Sequence, residues 1–240
     1  MFPVAILAGG LATRLHTLTR DTPKSLLPVA GRPFLLHQLE LLRSQQIEHV
    51  VLCVGHLGEQ ICALIGDGRA HGLSVKYSFD GPTALGTGGA LRQAVPMLGP
   101  CFFVLYGDSY LPCDFGRVQS AFEHCGRSAL MTVLRNENRW DRSNVVLGSD
   151  GAVRYDKSLG RDAATHIDFG LSVLRPSVLL RRASGTAFDL AEVYSELSHS
   201  GDLAGYEVAQ RFYEIGSLQG LRDTEAFLSA PRTCATIHAR

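Results

Sequence analysis

The sequence carries no excess charge of either sign, because 23 Lys and Arg residues balance 23 Asp and Glu residues among its 240 residues. Proteins that bind a nucleic acid neutralise its phosphates with clustered Lys and Arg, so this balance argues against a nucleic-acid partner. It leaves room for a local basic site that binds a small anion. The hydrophobic fraction of 45% is too high for a disordered chain, and it predicts one sizeable core.

Long hydrophobic runs are missing as well. No stretch approaches the roughly 18 apolar residues of a membrane-spanning helix, and the short apolar start of the chain has no basic segment before it, unlike a signal peptide. The six cysteines form no C-x-x-C pair. An even number allows disulfides, but Cys53 and Cys101 lie in or beside apolar runs, which favours small, reduced core residues. We therefore expect a cytoplasmic protein with no membrane partner.

No segment rich in Ser, Gly or Pro divides the chain, and it contains no internal repeat. In the first half, short apolar runs alternate with amphipathic stretches, a pattern typical of βαβ units and of a mostly parallel sheet covered by helices. Strands are predicted at residues 4–7, 50–54, 73–79 and 101–106. Helices are predicted at residues 34–45, 57–65 and 88–97.

From about residue 129 the rhythm changes to short strands, and helices return near the end. Strands are predicted at residues 130–135, 144–147, 153–155 and 166–174, and helices at residues 177–182, 189–198 and 217–228. Asp150-Gly151 is typical of a hairpin turn between two of the strands. We interpret residues 1–240 as a single α/β domain with a Rossmann-like, mostly parallel central sheet flanked by helices. A smaller β-rich region begins at about residue 129.

A glycine-rich segment follows the first predicted strand. It reads Leu7-Ala8-Gly9-Gly10-Leu11-Ala12-Thr13-Arg14-Leu15 and is followed by Pro23-Lys24. Adjacent glycines let backbone N–H groups approach an anion without obstruction from a Cβ atom, and Arg14 and Lys24 add charge for phosphate oxygens. Neither the dinucleotide pattern G-x-G-x-x-G nor the P-loop pattern G-x-x-x-x-G-K-[ST] is present. Without the basic residues, the Gly-Gly pair would equally fit a plain strand-to-helix connection.

These residues resemble the L-A-G-G-x-G-T-R-L…P-K motif of the sugar-1-phosphate nucleotidyltransferases, which join a nucleoside triphosphate to a sugar 1-phosphate and release pyrophosphate. The resemblance continues in order through residues 25–29, 85–90 and 107–108. Ala12 departs from it, since the family usually has glycine there. The resemblance implies ten nucleotide-binding residues. They are Leu7, Ala8, Gly9, Gly10, Thr13, Arg14, Lys24, Leu85, Gly86 and Thr87.

Asp108 is the residue to which the resemblance assigns the metal, and Arg14, Lys24 and Asp108 are the implied catalytic residues. Asp108 follows an apolar predicted strand, where open α/β sheets usually bind ligands, and a carboxylate there suits Mg²⁺. On local grounds alone, Asp108 would equally be a turn residue. The resemblance implies a second metal carboxylate in a late D-x-G-[TS] pattern. Residues 211–217 match it with Glu214 in place of the usual Asp.

The part of the chain after residue 128 is expected to bind the sugar 1-phosphate. Lys157 resembles a family lysine that contacts the sugar phosphate, and Gly170 resembles the glycine that lies against the sugar ring. Asp168 and Asn144 are candidate partners of sugar hydroxyls. The alternatives are a solvated loop lysine at position 157 and an ordinary polar strand face at positions 144 and 168.

One position bears on the choice of base. Pyrimidine-using relatives commonly have a Gln about six residues before the Leu-Gly pair, and Phe79 stands there, beside Asp80. The short length resembles mannose- and heptose-1-phosphate guanylyltransferases and also the muramic-acid-type uridylyltransferases. The missing Gln favours GTP, with mannose or manno-heptose 1-phosphate as acceptor. The alternatives are a UTP-dependent enzyme for a muramic-acid-type or glucose-type 1-phosphate, and a non-catalytic regulatory protein that binds nucleotide-sugars. Glu214 is the indication for the latter. Related enzymes often self-associate, so the resemblance also makes a homo-oligomer a candidate.

Overall fold

The computed structural model describes residues 1–10, 19–156 and 164–230. Nine of the strands in these ranges form one sheet, and two further pairs of short strands lie apart from it. The strands are β1 (Val4–Leu7), β2 (Pro28–Val29), β3 (Arg32–Pro33), β4 (His49–Val54), β5 (Ser74–Phe79), β6 (Phe102–Tyr106), β7 (Ser109–Tyr110), β8 (Ala129–Arg135), β9 (Val145–Leu147), β10 (Val153–Tyr155), β11 (His166–Leu174), β12 (Leu203–Val208) and β13 (Tyr213–Glu214).

The order of the strands places the two halves of the chain in one sheet. The main path is β10-β9-β11-β6-β1-β4-β5, and β8 and β12 extend it from β11. β6, β1, β4 and β5 are parallel neighbours, as the sequence pattern predicts, and β11 lies antiparallel to β6. The carboxyl ends of β1, β4 and β6 therefore meet at one edge, with the first residues of β11 beside them.

Helices cover both faces of this sheet. They are α1 (Phe34–Ser44), α2 (Gly58–Ile65), α3 (Gly86–Ala94), α4 (Phe115–Cys125), α5 (Ser177–Leu180), α6 (Leu190–His199) and α7 (Leu218–Ser229). The first core packs one face against α1, α2 and α4, and the second core packs the other face against α3, α5 and α6. Val4 and Ile6 face the first core while Ala5 faces the second, which is why β1 is apolar without alternation.

A third, smaller core lies beside the sheet and fixes α7. Its buried residues include Leu27, Val29 and Ile215, and α7 packs Leu221 and Phe227 against it. The short pairs β2–β3 and β7–β13 lie around this core, and Ala30 between β2 and β3 donates its N–H to Glu225 of α7 over 2.8 Å. Segments from near the start, the middle and the end of the chain are thus joined at one place.

Every predicted strand and helix corresponds to an observed element. The helix predicted at residues 88–97 begins earlier, at Gly86, and its last turn is a 3₁₀ turn at Val95–Met97, because Pro96 has no N–H to donate to an α-helix. The predicted hairpin is confirmed, since β9 and β10 pair antiparallel around Gly151, which has a φ of 73°.

Among the longer observed elements, α4 and β12 have no counterpart in the sequence prediction, and the two-residue strands β2, β3, β7 and β13 were not predicted either. In α4, Phe115, Val118 and Phe122 are buried at helical spacing, and Asp114 caps the helix by accepting from the Arg117 N–H over 3.0 Å. β12 pairs parallel with β8. It contains Gly205, where side chains of β9 and β10 leave no space for a Cβ atom. A glycine inside a strand weakens the sequence pattern by which the strand could be predicted.

The described cysteines support the prediction of small, reduced core residues. Cys53, Cys62, Cys101, Cys113 and Cys125 are all free thiols. Burial raises the pKa of Cys53 and of Cys113 to about 12, so these thiols are protonated and unreactive at neutral pH. Within the described ranges, no helix combines the length and the apolar character that crossing a membrane requires.

Candidate active site

The segments that follow β1, β4 and β6 lie side by side at one edge of the sheet. After β1, the Ala8 N–H donates to a β4 carbonyl over 2.8 Å, and the Gly107 N–H after β6 donates to the Leu7 carbonyl over 2.9 Å. A Cβ atom at Gly9 would lie 3.0 Å from the backbone nitrogen of Gly55. The close packing of the two backbones therefore favours glycine at position 9, whatever ligand this loop binds.

Asp108 occupies the turn between β6 and β7. The buried Gln38 of α1 donates its side-chain amide to the carbonyls of Tyr106 and Ser109, over 2.9 and 2.7 Å. These bonds hold the backbone on both sides of Asp108, which fixes the place from which its carboxylate extends.

Three charged side chains meet beside this turn. Lys24 Nζ lies 2.5 Å from Asp108 Oδ2, and the two side chains are 19% and 33% exposed. A Cβ atom built on Gly216 would lie 2.7 Å from Glu214 Oε2, 2.9 Å from Lys24 Nζ and 3.5 Å from Asp108 Oδ2. The three groups thus surround one point, and only glycine at position 216 leaves that point open.

The third core brings Lys24 and Glu214 to Asp108. It holds Leu27, which closes the 3₁₀ turn that Lys24 begins, and Ile215, directly after Glu214. The Ile215 N–H donates to the Asp108 carbonyl over 2.9 Å, and β13 pairs with β7. The two predicted metal carboxylates are therefore joined by main-chain pairing.

Glu214 departs from the family pattern, and the start of α7 accommodates it. Its Oε1 accepts from Ser217 Oγ over 2.6 Å, and its Oε2 accepts from the Gly216 N–H. Ser217 also caps α7 by accepting from the Gly220 N–H over 2.9 Å. A Cβ atom at Gly220 would overlap Glu214 Oε1. The glycine in the first turn of α7 therefore provides the space that the longer carboxylate needs.

The donor set at this point fits a divalent cation. Two carboxylates and one ammonium leave a negative balance, which by itself repels a triphosphate. Mg²⁺ is commonly held by one or two carboxylates together with substrate phosphates and water. The described residues contain no cluster of three or more His, Cys, Asp or Glu side chains that could hold a metal. The pair Asp108 and Glu214 therefore suits a cation that a nucleotide helps to bind.

The predicted nucleotide segment after β5 is shaped by its contacts with Phe188. The Gly88 N–H donates to the Phe188 carbonyl, and the Phe188 N–H donates to the Leu85 carbonyl, each over 3.0 Å. A Cβ atom at Gly88 would overlap the Phe188 ring, and Gly86 has a φ of 70°. The glycines of this motif are therefore required by backbone conformation and by packing against the second half of the chain.

Thr87 joins this segment to α6. Its hydroxyl donates to Asp189 Oδ1 and accepts from the Leu190 N–H, each over 2.8 Å. Asp189 also caps α6. The Thr87 hydroxyl is thus engaged within the protein. The predicted role of Thr87 in nucleotide binding therefore concerns its backbone groups.

Three of the four predicted sugar residues lie together. Asn144 Oδ1 accepts from the Asp168 N–H over 3.0 Å, and Asp168 Oδ1 accepts from the Gly170 N–H over 2.9 Å. The register of β11 shifts after Asp168, and Gly170 has a φ of 98°. A Cβ atom at Gly170 would lie 3.9 Å from Ser109 Oγ, so this irregular segment adjoins the Asp108 turn.

Asp168 also faces a buried group of tyrosines. Burial raises the pKa of Tyr106, Tyr155 and Tyr194, and the charge of Asp168 adds to each shift. Tyr194 OH lies 2.5 Å from Ser172 Oγ, and the Tyr155 and Tyr194 rings meet edge-on with centroids 5.8 Å apart. The phenols therefore stay protonated at neutral pH, and Tyr194 is joined to β11 by its contact with Ser172.

Asp80 and Phe79 lie at the end of β5. Asp80 Oδ2 accepts from the Leu85 N–H over 3.3 Å, and burial raises the pKa of its carboxyl. Phe79 is 40% exposed. The position where pyrimidine-using relatives commonly have Gln thus presents an aromatic ring beside a carboxyl group.

Some predicted features lie beyond these observations. Thr13, Arg14 and Lys157 are outside the described residues, so their roles stay predictions. The homo-oligomeric state and the cytoplasmic location also stay predictions.

The structure adds contributors to the site that were not predicted. Gln38 is a polar residue among the apolar positions of a predicted helix, and such a residue signals a buried hydrogen-bonding role. Ser217 and Gly220 begin a predicted helix, where serine signals a cap and glycine signals a need for space.

The comparisons with known proteins agree with this geometry. The family "Nucleotidyl transferase" matches residues 4–228. N-acetylmuramate alpha-1-phosphate uridylyltransferase of Neisseria meningitidis serogroup B is 29% identical, over 94% of this chain and 97% of that protein. Mannose-1-phosphate guanylyltransferase catalytic subunit beta of Drosophila melanogaster is 31% identical over 88% of this chain, which spans 58% of that relative's length.

A solved structure gives the same fold. The crystal structure of HddC from Yersinia pseudotuberculosis matches with a TM-score of 0.80 at 21% identity, covering 95% of this chain and 100% of that one. The family match spans the Gly-rich loop, the Asp108 turn and Glu214. The chain therefore belongs to the nucleotidyl transferase family, as an enzyme of the sugar-1-phosphate nucleotidyltransferase type.

Proposed function

We propose that this enzyme transfers a guanylyl group from GTP to mannose 1-phosphate or a manno-heptose 1-phosphate and releases pyrophosphate. We place the reacting centre where the side chains of Lys24, Asp108 and Glu214 converge on one point, and this convergence is the main support for the proposal. That point lies beside Asp108, between the loop after β1 on the nucleotide side and the irregular segment of β11 on the acceptor side.

In this reaction, a phosphate oxygen of the sugar 1-phosphate attacks the α-phosphorus of the triphosphate. The bond from the α-phosphorus to the oxygen that bridges it to the β-phosphorus breaks, and pyrophosphate leaves with the electron pair. The attacking phosphate is already anionic at neutral pH, so no general base is needed. Positioning and charge neutralisation supply the catalysis.

Lys24 supplies a fixed positive charge at the reacting point. The third core anchors its 3₁₀ turn, and Asp108 Oδ2 holds its ammonium at 2.5 Å. We assign to Lys24 the stabilisation of negative charge that develops on the transferred phosphoryl group. Arg14 is assigned to the departing β- and γ-phosphates.

Asp108 and Glu214 are the residues that would hold Mg²⁺. When bound, the cation neutralises phosphate charge and helps to align the reacting groups. Ser217 and the Gly216 N–H orient the Glu214 carboxylate, and Gln38 fixes the turn that carries Asp108. The longer Glu214 side chain is thus compatible with an active enzyme.

The assignment of guanine is supported by Asp80. Its carboxyl group accepts from the N–H of Leu85, in the segment expected to pass near the base. The Watson–Crick edge of guanine presents two adjacent donors, N1–H and N2–H, and a carboxylate accepts from such a pair. Uracil has a single N–H on that edge, flanked by two acceptors that a carboxylate repels.

Uridylyl transfer from UTP to a muramic-acid-type 1-phosphate is the second candidate. One observation favours it: the Neisseria meningitidis relative named for that reaction is matched over 97% of its length. The Drosophila melanogaster relative is named for guanylyl transfer to mannose 1-phosphate, and it supports the first candidate.

The test is a matrix of pyrophosphate-release assays. The triphosphates ATP, GTP, CTP, UTP and dTTP are each combined with mannose, manno-heptose, glucose and N-acetylmuramate 1-phosphates, with MgCl₂ or with EDTA. We expect the highest kcat/KM with GTP and a manno-configured acceptor, and no turnover in EDTA. A maximum at UTP with N-acetylmuramate 1-phosphate would establish the second candidate instead. Preparations of the Lys24→Ala variant control for contaminating enzymes.

A further inference from the structure

A cavity of about 120 Å³ adjoins the reacting centre, with which it shares Glu214. Its walls include Glu214, Gln219 and Asp223 from the β13–α7 segment, together with Arg211 and Trp140. A volume of roughly 10–15 Å³ on this measure holds one water molecule, so the cavity has room for several polar groups. Among the residues that line this cavity, only Glu214, with Ser217 and Gly220 beside it, has a role in the function proposed above.

Trp140 is held at the cavity by a hydrogen-bonded loop between β8 and β9. Asn136 and Ser143 are buried in this loop. Asn136 accepts from the Trp140 N–H over 3.0 Å and donates to Ser143 Oγ over 3.0 Å. The loop ends at Asn144, which bonds the Asp168 N–H. Trp140 itself stays 43% exposed, so the buried bonds of the loop present an indole ring to solvent.

Arg211 links this loop to α7. Its guanidinium lies 3.8 Å from the centroid of the Trp140 ring and forms an ion pair with Asp223. Gln219 donates to the other Asp223 oxygen over 2.8 Å, and these bonds lower the pKa of the Asp223 carboxyl. Arg211 Nε is buried and has no hydrogen-bond partner among the described residues. A buried donor without a partner is rare and indicates a missing acceptor.

From these contacts we propose that the cavity receives the part of the acceptor sugar remote from its phosphate, with Trp140 as the apolar wall and Arg211, Gln219 and Asp223 as the polar wall. The inference rests on the proposed function, because it takes the acceptor to be a sugar 1-phosphate. A pyranose presents C–H groups on its faces and hydroxyls around its rim. An exposed indole matches the C–H faces, and a guanidinium, an amide and a carboxylate beside it match the hydroxyls.

The layout of the sheet decides between acceptor and nucleotide as the occupant. The predicted nucleotide segments follow β1 and β5, whereas β11 and β9 lie on the other side of β6, which carries the Asp108 turn. Trp140 belongs to the loop that enters β9. The cavity shares Glu214 with the reacting centre, so a sugar in it would be attached to a phosphate at that centre.

Trp140 is the only tryptophan in the sequence, so its fluorescence reports on this cavity alone. We would titrate the full chain with mannose 1-phosphate, glucose 1-phosphate and N-acetylmuramate 1-phosphate, each with and without a GTP or UTP analogue that cannot be cleaved between its α- and β-phosphates. The expected result is a saturable change of Trp140 emission with the sugar phosphate that the enzyme turns over. Inorganic phosphate should give no such change.

Kinetics of Trp140 variants give the second measurement. Trp140→Ala should raise KM for the sugar 1-phosphate about tenfold or more, and Trp140→Phe should raise it less, because loss of an apolar contact weakens binding by about this amount. KM for the triphosphate should stay within about twofold, as expected for a contact with one substrate only. Leu64→Ala is the matched control, since Leu64 is also 43% exposed and does not line the cavity. Urea unfolding shows whether each variant remains folded.

The outcomes separate the two proposals. Turnover in the assay matrix without any Trp140 signal, and with an unchanged acceptor KM in Trp140→Ala, would overturn the cavity assignment and leave the transferase assignment intact. A Trp140 signal without turnover by any substrate pair would support the cavity as a sugar-phosphate site and overturn the proposed catalysis. A rise in KM for the triphosphate instead of the acceptor would also overturn the cavity assignment.

Discussion

The side of the sheet edge that we propose for the nucleotide (the segments after β1 and β5) and the side that we propose for the acceptor (the β8–β9 loop, β11 and α7) are built in different ways. On the nucleotide side, glycines allow close packing, with the backbone of Gly55 at Gly9 and with the Phe188 ring at Gly88. On the acceptor side, side chains form the structure, as in the contacts between Arg211 and Trp140 and between Asn136 and Ser143. The nucleotide side therefore tolerates few changes at its glycines, whereas the acceptor side can change its side chains and keep its backbone.

This difference suits the two substrates. The triphosphate moiety is common to all nucleoside triphosphates, and a loop of glycines binds such a group through N–H groups that do not depend on side-chain identity. Acceptor sugars differ in their hydroxyls and substituents, and side-chain walls can be exchanged to match them. Lys24, Asp108 and Glu214 lie where the two sides meet.

The largest effect is expected where the two sides meet. Lys24→Ala and Asp108→Ala should each lower kcat by about a hundredfold to a thousandfold. The first removes a positive charge at the transferred phosphoryl group, and the second removes a proposed ligand of the cation that neutralises phosphate charge. Pyrophosphate release under saturating substrates measures the loss, and thermal unfolding should show a folded protein. Lys76→Ala, at an exposed lysine of β5, is the matched control. Near-normal turnover of either active-site variant would remove these residues from the reaction.

A smaller effect is expected from the space behind Glu214. Gly220→Ala should lower kcat about tenfold to a hundredfold, because the added Cβ would overlap Glu214 Oε1 and displace the carboxylate. Glu214→Asp in the same chain shortens the carboxylate and should restore part of the activity. Isothermal titration with Mn²⁺ in the presence of nucleotide gives a readout besides turnover. If the double variant is no better than Gly220→Ala alone, the two positions are not coupled in this way.

Substitutions at two glycines test the packing of the nucleotide side, one at a closely packed position and one at an open position. Gly88→Ala should lower the free energy of unfolding by about 1–3 kcal/mol, because its Cβ would overlap the Phe188 ring. Gly10→Ala should change it by less than about 0.5 kcal/mol, since no atom of residues 1–10, 19–156 and 164–230 lies within 4 Å of the added Cβ. Urea unfolding measures both. Equal losses would show that the motif glycines serve conformation alone, without the packing contact argued here.

The same difference decides how much could be predicted from the sequence. The glycines of the nucleotide side recur at fixed spacing because backbone packing leaves no substitute, so Gly9, Gly86 and the turn before Asp108 could be recognised. The strands were predictable because both sheet faces are buried, as at Val4–Leu7.

The acceptor side could not be predicted in the same detail. Arg211 and Trp140 are far apart in sequence, and nothing local to either residue indicates that they stack. The role of Gly220 depends on its contact with Glu214, six residues earlier in β13, and this contact becomes visible only when α7 and β13 are placed together. β12 was not predicted because Gly205 interrupts its apolar pattern. The glycine is explained only by the structure, in which side chains of β9 and β10 pack against it.

The smallest effect is expected from a substitution at Asp80, in the proposed base site. This substitution distinguishes GTP from UTP as the preferred triphosphate. Asp80→Asn keeps the size of the side chain and replaces one carboxylate oxygen by an N–H donor, so one of the two donors of guanine loses its acceptor. The ratio of kcat/KM for GTP to that for UTP should fall about tenfold, the cost of one hydrogen bond to a charged group. Parallel assays with both triphosphates measure the ratio, and the free energy of unfolding should change little because the Leu85 N–H keeps an oxygen acceptor. A ratio that does not change would place Asp80 outside the base site and remove the structural support for guanine, since Phe79 alone does not distinguish the bases.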